Sequence, residues 1–500
     1  MSHPASLADW TSLVDRLSIR NQAFINGNYV DAASGETFQC VNPADSSVIT
    51  RVAATDSEDV DRAVAAARNA FEKGSWSRMA PAARKDVLFR FADLIRTHQD
   101  ELAALETVDM GKPIADSTTI DIPGAARCIA WYAEAIDKVY DEVAPTSHDT
   151  IGLITREAVG VVACVVPWNF PLLMAAWKIA PALATGNSVI LKPSEKSPLT
   201  AIRVAELAAE AGIPEGVFNV IPGFGQTAGK ALALHDDVDC IAFTGSTAVG
   251  KMILGYSGQS NMKRVWLECG GKSPNIVFAD CPDLDAAAQA AGFGIFFNQG
   301  EMCSAASRLL VEDSIRDEFL EKLVAFAAAM PPGNPLDPDT RMGAIVDQVQ
   351  FDTVMGYIEK GQQEGATLKV GGNRALEETQ GWYVAPTIFD DVRNDMTIAQ
   401  QEIFGPVLST IAFDSAEEAL AYGNDVRYGL AAAVWTRDIN KAHRVAKSLR
   451  AGTVWINCYD AGDLTVPFGG FKESGNGRDK SLHALDKYVE LKTTWIDLGG

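Results

Sequence analysis

The chain has few basic residues for its size. Its 43 Lys and Arg are outnumbered by 65 Asp and Glu, leaving a net charge of −22. Nucleic acids and anionic membrane surfaces attract basic patches, so this balance argues against both as partners. No stretch approaches the roughly 20 apolar residues that a membrane-spanning helix needs. The opening residues, MSHPASLADWTSLVDRL, lack a basic segment followed by an apolar one, so no secretory signal is expected. Cysteine is sparse. Eight residues are scattered from Cys40 to Cys458, with neither the CxxC spacing of a metal site nor the density of a disulfide scaffold. The expectation is free thiols in a reducing cytoplasm and no bound metal. Repeats and low-complexity linkers are missing too. What remains is an ordinary globular composition, 47% apolar and 22% charged. At 500 residues it is too long for one core, so two or three domains are expected.

Residues 23–53 read as short strands cut by Asn-Gly and Ser-Gly turns. A helix follows, with Ser57 as its cap. One long helix is expected over 81–108 and another over 125–140. From residue 160 a regular alternation begins. Apolar runs at 160–166, 188–191, 217–221, 240–243 and 264–267 alternate with helical stretches, one of them capped by Ser197 with Pro198 in its first turn. Alternation with short loops predicts a parallel sheet covered on both faces, an α/β fold. A second α/β set follows: strands at 275–279, 383–390, 408–413 and 453–457, and a helix at 314–330. The tail at 488–496 reads as a strand of the kind that pairs with another subunit's sheet edge.

Ligands of such sheets bind at the carboxyl ends of the strands. The groups just past those ends are Pro167-Trp168-Asn169, Lys192-Pro193-Ser194-Glu195, Gly223-Phe224-Gly225, Thr244-Gly245-Ser246 and Glu268. They should converge. Gly245-Ser246 opening a helix offers free N–H groups and a helix dipole to a pyrophosphate. The run from Gly223 through Gly225 to Gly229 is a second glycine-rich turn, though glycines also make ordinary turns. Lys192 and Glu195 suit ribose hydroxyls, and the Glu195 charge would repel a 2′-phosphate, favouring NAD over NADP. The plainer reading of that pair is a solvated couple before a helix.

The stretch FFNQGEMCSAASR (296–308) puts Cys303 in a glycine-containing loop between an apolar helix and a strand. That placement suits a reactive thiolate, although a lone cysteine is more often just a small apolar residue. Glu268, beside apolar groups and Gly270-Gly271, has the makings of a general base. Asn169 can donate to a developing oxyanion together with the backbone N–H of Cys303. Taken singly, these are a strand-end carboxylate and a helix cap. Jointly they describe one chemistry. A thiolate attacks an aldehyde, two donors hold the oxyanion, a hydride leaves to nicotinamide, and water activated by Glu268 releases the acid.

The chain resembles the aldehyde dehydrogenase superfamily over essentially its full length. The resemblance rests on VVPWNFPLLMAAWK (165–178), LKPSEKSP (191–198), FTGSTAVG (243–250), LECGGKSPNIVF (267–278), FNQGEMCSA (297–305), EIFGPV (402–407) and PFGGFKESGNGRD (467–479), in the family's order. It implies a Rossmann-like NAD-binding domain (1–140 and 160–270), a catalytic domain (271–473) and a small β oligomerisation arm (141–159 and 485–500), assembled as a homodimer or homotetramer. It makes Cys303 the nucleophile, Glu268 the base and Asn169 the oxyanion donor. Pro167, Trp168, Lys192, Ser194, Glu195, Gly225, Gly229, Phe243, Thr244, Gly245, Ser246, Val249, Glu402 and Phe404 fall at cofactor positions, and Lys178 is placed near the site. Glu301 departs from the more usual Gln.

A finer resemblance is to γ-glutamyl-γ-aminobutyraldehyde and related aminoaldehyde dehydrogenases of bacterial polyamine catabolism. It rests on 121–142, NCYDAGDLTVPFGG (457–470) and SGNGRDKSLHALDKY (474–488). It implies that Asp121, Asp460 and Asp463 lie near the tunnel and attract an ammonium. Phe170, Met174, Trp177 and Phe297 form apolar walls with cation–π capacity, and Met302 and Ser304 flank the nucleophile. Each Asp has a plainer reading as a solvated loop carboxylate. Open alternatives are a broad aliphatic, 3-hydroxypropanal or betaine aldehyde oxidiser, a CoA-acylating enzyme, which Glu268 argues against, and a non-catalytic dinucleotide-binding protein.

Overall fold

The computed structural model describes residues 4–499. Among these, the strands gather into two seven-stranded sheets and several smaller ones. In the first sheet five parallel strands lie in the spatial order Arg264–Glu268, Cys240–Thr244, Val161–Val165, Ser188–Lys192 and Phe218–Val220. Ala23–Ile25 and Asn28–Val30 add an antiparallel edge. The strands are apolar on both faces because helices cover both, as parallel sheets require. Strand order reverses between Val161–Val165 and Cys240–Thr244. A crevice opens at such a reversal, because the connecting helices leave it to opposite sides.

The second sheet runs Thr367–Val370, Thr387–Asp390, Val407–Phe413, Arg308–Glu312, Pro274–Val277, Ala431–Trp435 and Thr453–Ile456, parallel except for its first strand. A three-stranded sheet holds Val489–Asp497, Thr150–Ala158 and Glu142–Ala144. The terminal strand pairs along its whole length with Thr150–Ala158 of its own chain and lies at an edge of that sheet, with its outer edge unpaired among the described residues.

Several local expectations need correction. The long helix at 81–108 is two, Pro81–Thr97 and Gln99–Met110, broken at His98. The helix that opens at Ser57 is capped by Asp56, whose carboxylate accepts the Glu58 N–H at 2.9 Å. Ser197 caps nothing. Its hydroxyl donates to the Trp168 carbonyl, and the following helix, Leu199–Ala211, takes its cap from far away. The buried Asp109 carboxylate accepts the Leu199 N–H at 2.7 Å and the Cys40 thiol. Residues 383–390 do not form one strand: Pro386, which has no N–H for a ladder, separates Tyr383–Val384 from Thr387–Asp390.

Arg308 locks the start of its strand. Its fully buried guanidinium donates to the carbonyls of Lys272, Tyr422 and Gly423 at 2.9–3.1 Å and to the Asn394 side chain at 3.2 Å. Replacing it by Met (R308M) strands those acceptors. The expected cost is about 3 kcal/mol or more, read as a lowered thermal unfolding midpoint.

Candidate active site

The helix Leu284–Phe296 ends in a turn over Phe297–Gly300 with an unusual backbone. Asn298, Gln299 and Gly300 have φ of 49°, 57° and 71°, three left-handed residues in succession. Such conformations cost non-glycine residues energy and persist only where their surroundings hold them. Here the Gln299 amide oxygen accepts the Gly343 N–H at 3.0 Å. The Asn298 amide donates to the carbonyls of Asn169 and Glu301 at 3.1 and 3.2 Å. A side chain at Gly300 would lie 2.2 Å from the Gly405 oxygen, so only glycine fits.

The turn delivers Cys303 to the meeting point of two cavities, and its residue lines both. Six of the other seven cysteines are buried, in line with the expected inert thiols, and Cys458 is partly exposed away from both cavities. Burial pushes the Cys303 thiol up to about 12, with the carboxylates of Glu402, Glu268 and Asp460 adding to the effect. Asn169 is buried, and its amide donates to the Glu301 carbonyl at 2.8 Å. An amide carries two donor hydrogens, so one is left for a ligand.

The first cavity, about 830 Å³, lies at the strand-order reversal. Pro167, Trp168, Thr244, Gly245, Ser246, Glu402 and Phe404 line it with Cys303 and Asn169. Trp168 and Phe404 meet edge to face, with ring centres 5.1 Å apart. Ser246 caps the helix Thr247–Gln259, whose first N–H groups face this side. The buried Thr244 hydroxyl has no partner. Glu402 accepts the Gly271 N–H at 3.0 Å, and burial raises its carboxyl to about 7. Aromatic walls, a helix N-terminus, an orphan hydroxyl and a carboxylate are the donor and acceptor set that a dinucleotide needs. Gln350, Thr353 and Tyr357 also line this cavity. Sequence reading missed them because their helix, Gln348–Gln363, carries no motif of its own.

Other predicted cofactor residues lie beside the cavity, not on it. Lys192 is buried, donates to the Pro193 carbonyl at 2.8 Å and stands 3.7 Å from Glu195. Gly229 packs against the Lys192 side chain, and Gly225 opens an exposed turn with free space around it. Ser194 accepts the Lys196 N–H, which shapes the turn. Phe243 points into the core and packs under Gly245, so its part is structural. The Val249 N–H donates to the Ser246 hydroxyl while its side chain faces solvent.

The second cavity, about 900 Å³, runs outward from Cys303. Phe170, Met174, Trp177, Phe297, Met302, Ser304 and Asp460 line it, as expected. Asp121 does not. It is fully buried behind the wall and accepts from the Lys112 ammonium at 2.8 Å, because a carboxylate at that depth needs a cation. Asp463 is exposed and accepts the Thr465 N–H, which makes it a turn residue. Lys480 and Phe468 line the cavity and were not predicted, although both fall in stretches that carried the resemblance.

Glu268 is buried, lines neither cavity and packs against Gly469 and Gly477. A side chain at either glycine would come within 2.7–2.9 Å of its Oε1. Neither carboxyl oxygen has a hydrogen-bond partner. Burial, and then the charge of Asp479, push its pKa well above the usual carboxylate range. Lys178 sits nearby, paired with Asp479 at 2.9 Å, and Asp479 also accepts from Lys487. Burial works against the Asp479 charge, yet the two lysines hold its carboxyl below the usual range. The buried Glu301 carboxyl accepts the Val346 N–H at 3.0 Å, and burial raises it strongly.

Residues 29–494 match the aldehyde dehydrogenase family. The chain belongs to that family. It is an aldehyde-oxidising enzyme of α/β fold. Over 98% of its length it is 57% identical to the NADP/NAD-dependent aldehyde dehydrogenase PuuC of Escherichia coli K12, covering 99% of that protein. A structure of an indole-3-acetaldehyde dehydrogenase complexed with NAD+ superposes with a TM-score of 0.98 at 62% identity, covering 99% of this chain and all of that one. The γ-glutamyl-γ-aminobutyraldehyde dehydrogenase of Burkholderia cenocepacia gives 0.97 at 63% identity, with the same coverage.

The suppressed acidity of the Cys303 thiol has a direct readout. Without cofactor, alkylation of Cys303 should rise about tenfold per pH unit from about pH 7 to about pH 10, because the thiolate fraction does so below the pKa. Peptide mass spectrometry follows it. A plateau by about pH 9 would reveal an ordinary thiol.

Proposed function

We propose that this enzyme oxidises γ-glutamyl-γ-aminobutyraldehyde, or another ω-aminoaldehyde of polyamine catabolism, to the carboxylic acid with NAD in preference to NADP. The carrying observation is Cys303 at the junction of a dinucleotide-shaped cavity and a separate apolar tunnel. The Burkholderia relative, named for γ-glutamyl-γ-aminobutyraldehyde, supports the substrate. The solved relative complexed with NAD+ supports the cofactor. Glu195 beside Lys192 supports NAD, since a carboxylate there disfavours a 2′-phosphate.

The chain's own groups divide the work. The Cys303 sulfur attacks the aldehyde carbon, and its proton must leave first. The free Asn169 amide hydrogen and the Cys303 N–H hold the developing oxyanion of the thiohemiacetal. NAD, when bound, supplies the hydride acceptor. Glu402 and Phe404 border the part of the crevice nearest the sulfur and orient what binds there. Glu268 swings from its seat against Gly469 and Gly477 to take a proton from the water that hydrolyses the thioester. Burial raises its proton affinity, which makes its carboxylate a stronger base toward that water. The three-stranded sheet, exposing Leu491 and Trp495, is the surface we assign to dimer or tetramer formation in the cytoplasm.

C303A should keep NAD binding, measured by calorimetry, and lose NADH production by at least about 10³-fold. E268Q should give a stoichiometric burst of NADH followed by slow turnover. Turnover by C303A at the parent rate would remove the nucleophile, and a burst-free E268Q would place Glu268 before hydride transfer.

A further inference from the structure

The tunnel beyond Cys303 carries an acidic and a basic side chain that do not touch one another. Asp460 and Lys480 both line it. Among the described residues, neither side chain makes a hydrogen bond or an ion pair within 4.0 Å, including with each other. They are close enough to influence each other's titration through space. The Lys480 ammonium stands 5.1 Å from the Trp177 ring centre and 5.5 Å from that of Phe468. Gly462 leaves room for it: a side chain there would come within 3.2 Å of the Lys480 nitrogen.

This arrangement bears on which charge the substrate brings. Two of the rings expected to receive a substrate ammonium, Trp177 and Phe170, already have one of the protein's own cations against them. Trp177 and Phe468 hold Lys480, and the Phe170 ring has the Lys112 nitrogen 4.1 Å from its centre. A bare ammonium entering the tunnel meets Lys480 as a like charge, which is unfavourable where solvent is thin. A carboxylate meets it as a partner, and Asp460 remains for a cation.

We propose that Lys480 and Asp460 form a subsite for the charged end of the aldehyde, Lys480 taking a carboxylate and Asp460 an ammonium, so that the preferred substrate ends in an α-amino-acid group and not in a bare amine. This rests on the aldehyde-oxidising reading above and narrows its substrate class. An α-amino-acid end carries both charges on one carbon, so it reaches both residues without net charge entering the tunnel.

The test uses the purified full chain with NAD and four aldehydes of matched length, ending in a methyl, an amine, a carboxylate or an α-amino acid. The unmodified enzyme should favour the α-amino-acid aldehyde over the methyl one by at least about tenfold in kcat/KM. K480M should reduce that ratio about 10- to 100-fold, mainly through KM, whereas K480R should retain most of it. K480E should shift the preference toward the amine-ended aldehyde. D460N should lower the advantage of the α-amino-acid aldehyde over the carboxylate one. Equal kcat/KM for all four aldehydes, or a ratio unchanged by K480M, overturns the subsite while leaving aldehyde oxidation intact. No NADH from any aldehyde overturns both. Melting temperature and NAD affinity of each variant separate a lost charge from a lost fold.

Discussion

Everything in this active site depends on three consecutive residues held in a left-handed backbone. Asn298, Gln299 and Gly300 reverse the chain at the end of a buried helix and set Cys303 between two cavities. Two of the three carry a side chain and strain against that conformation. Their own amides stabilise it, Gln299 through Gly343 and Asn298 through the carbonyls of Asn169 and Glu301. The same Glu301 carbonyl receives the Asn169 amide. The turn that places the sulfur therefore also orients the oxyanion donor, and neither can shift without the other.

A second constraint is electrostatic. Cys303, Glu268, Glu301 and Glu402 are all held toward their protonated forms by burial. Ionised Glu402 and Glu268 would oppose a thiolate at Cys303, and burial biases each of these groups toward its neutral form. Asp479 is the exception, kept charged by Lys178 and Lys487. Its negative charge acts back on Glu268 and helps hold the proton there. A cation brought into the crevice would favour the ionisation of Cys303 and Glu268.

The parallel sheet, its strand ends and the placement of Cys303 and Asn169 at a crevice were legible in the sequence, because these depend on short apolar runs and on motifs a few residues long. It did not show what depends on distant packing. Asp109 caps a helix 90 residues away, where Ser197 looked the natural choice. Asp121 lies in the stretch that suggested a tunnel acid, yet Lys112 draws it behind the wall. Lys480 stood in a quoted motif without a role, since nothing in its neighbours' identities says that its side chain reaches Trp177. Phe243 belongs to a cofactor motif but turns inward, because alternate residues of a strand face opposite sides.

The surroundings of Glu268 come from the last part of the chain. Gly469 and Gly477 enclose its carboxyl, and Asp479 and Lys487 set the charge behind it. The final strand, Val489–Asp497, then returns to a hairpin arm laid down more than 300 residues earlier. The enclosure around Glu268 is therefore completed last in chain order, after the strands of the first sheet and the Cys303 loop, and a chain in which these later segments have not yet docked has its sulfur in place before the carboxyl is walled in.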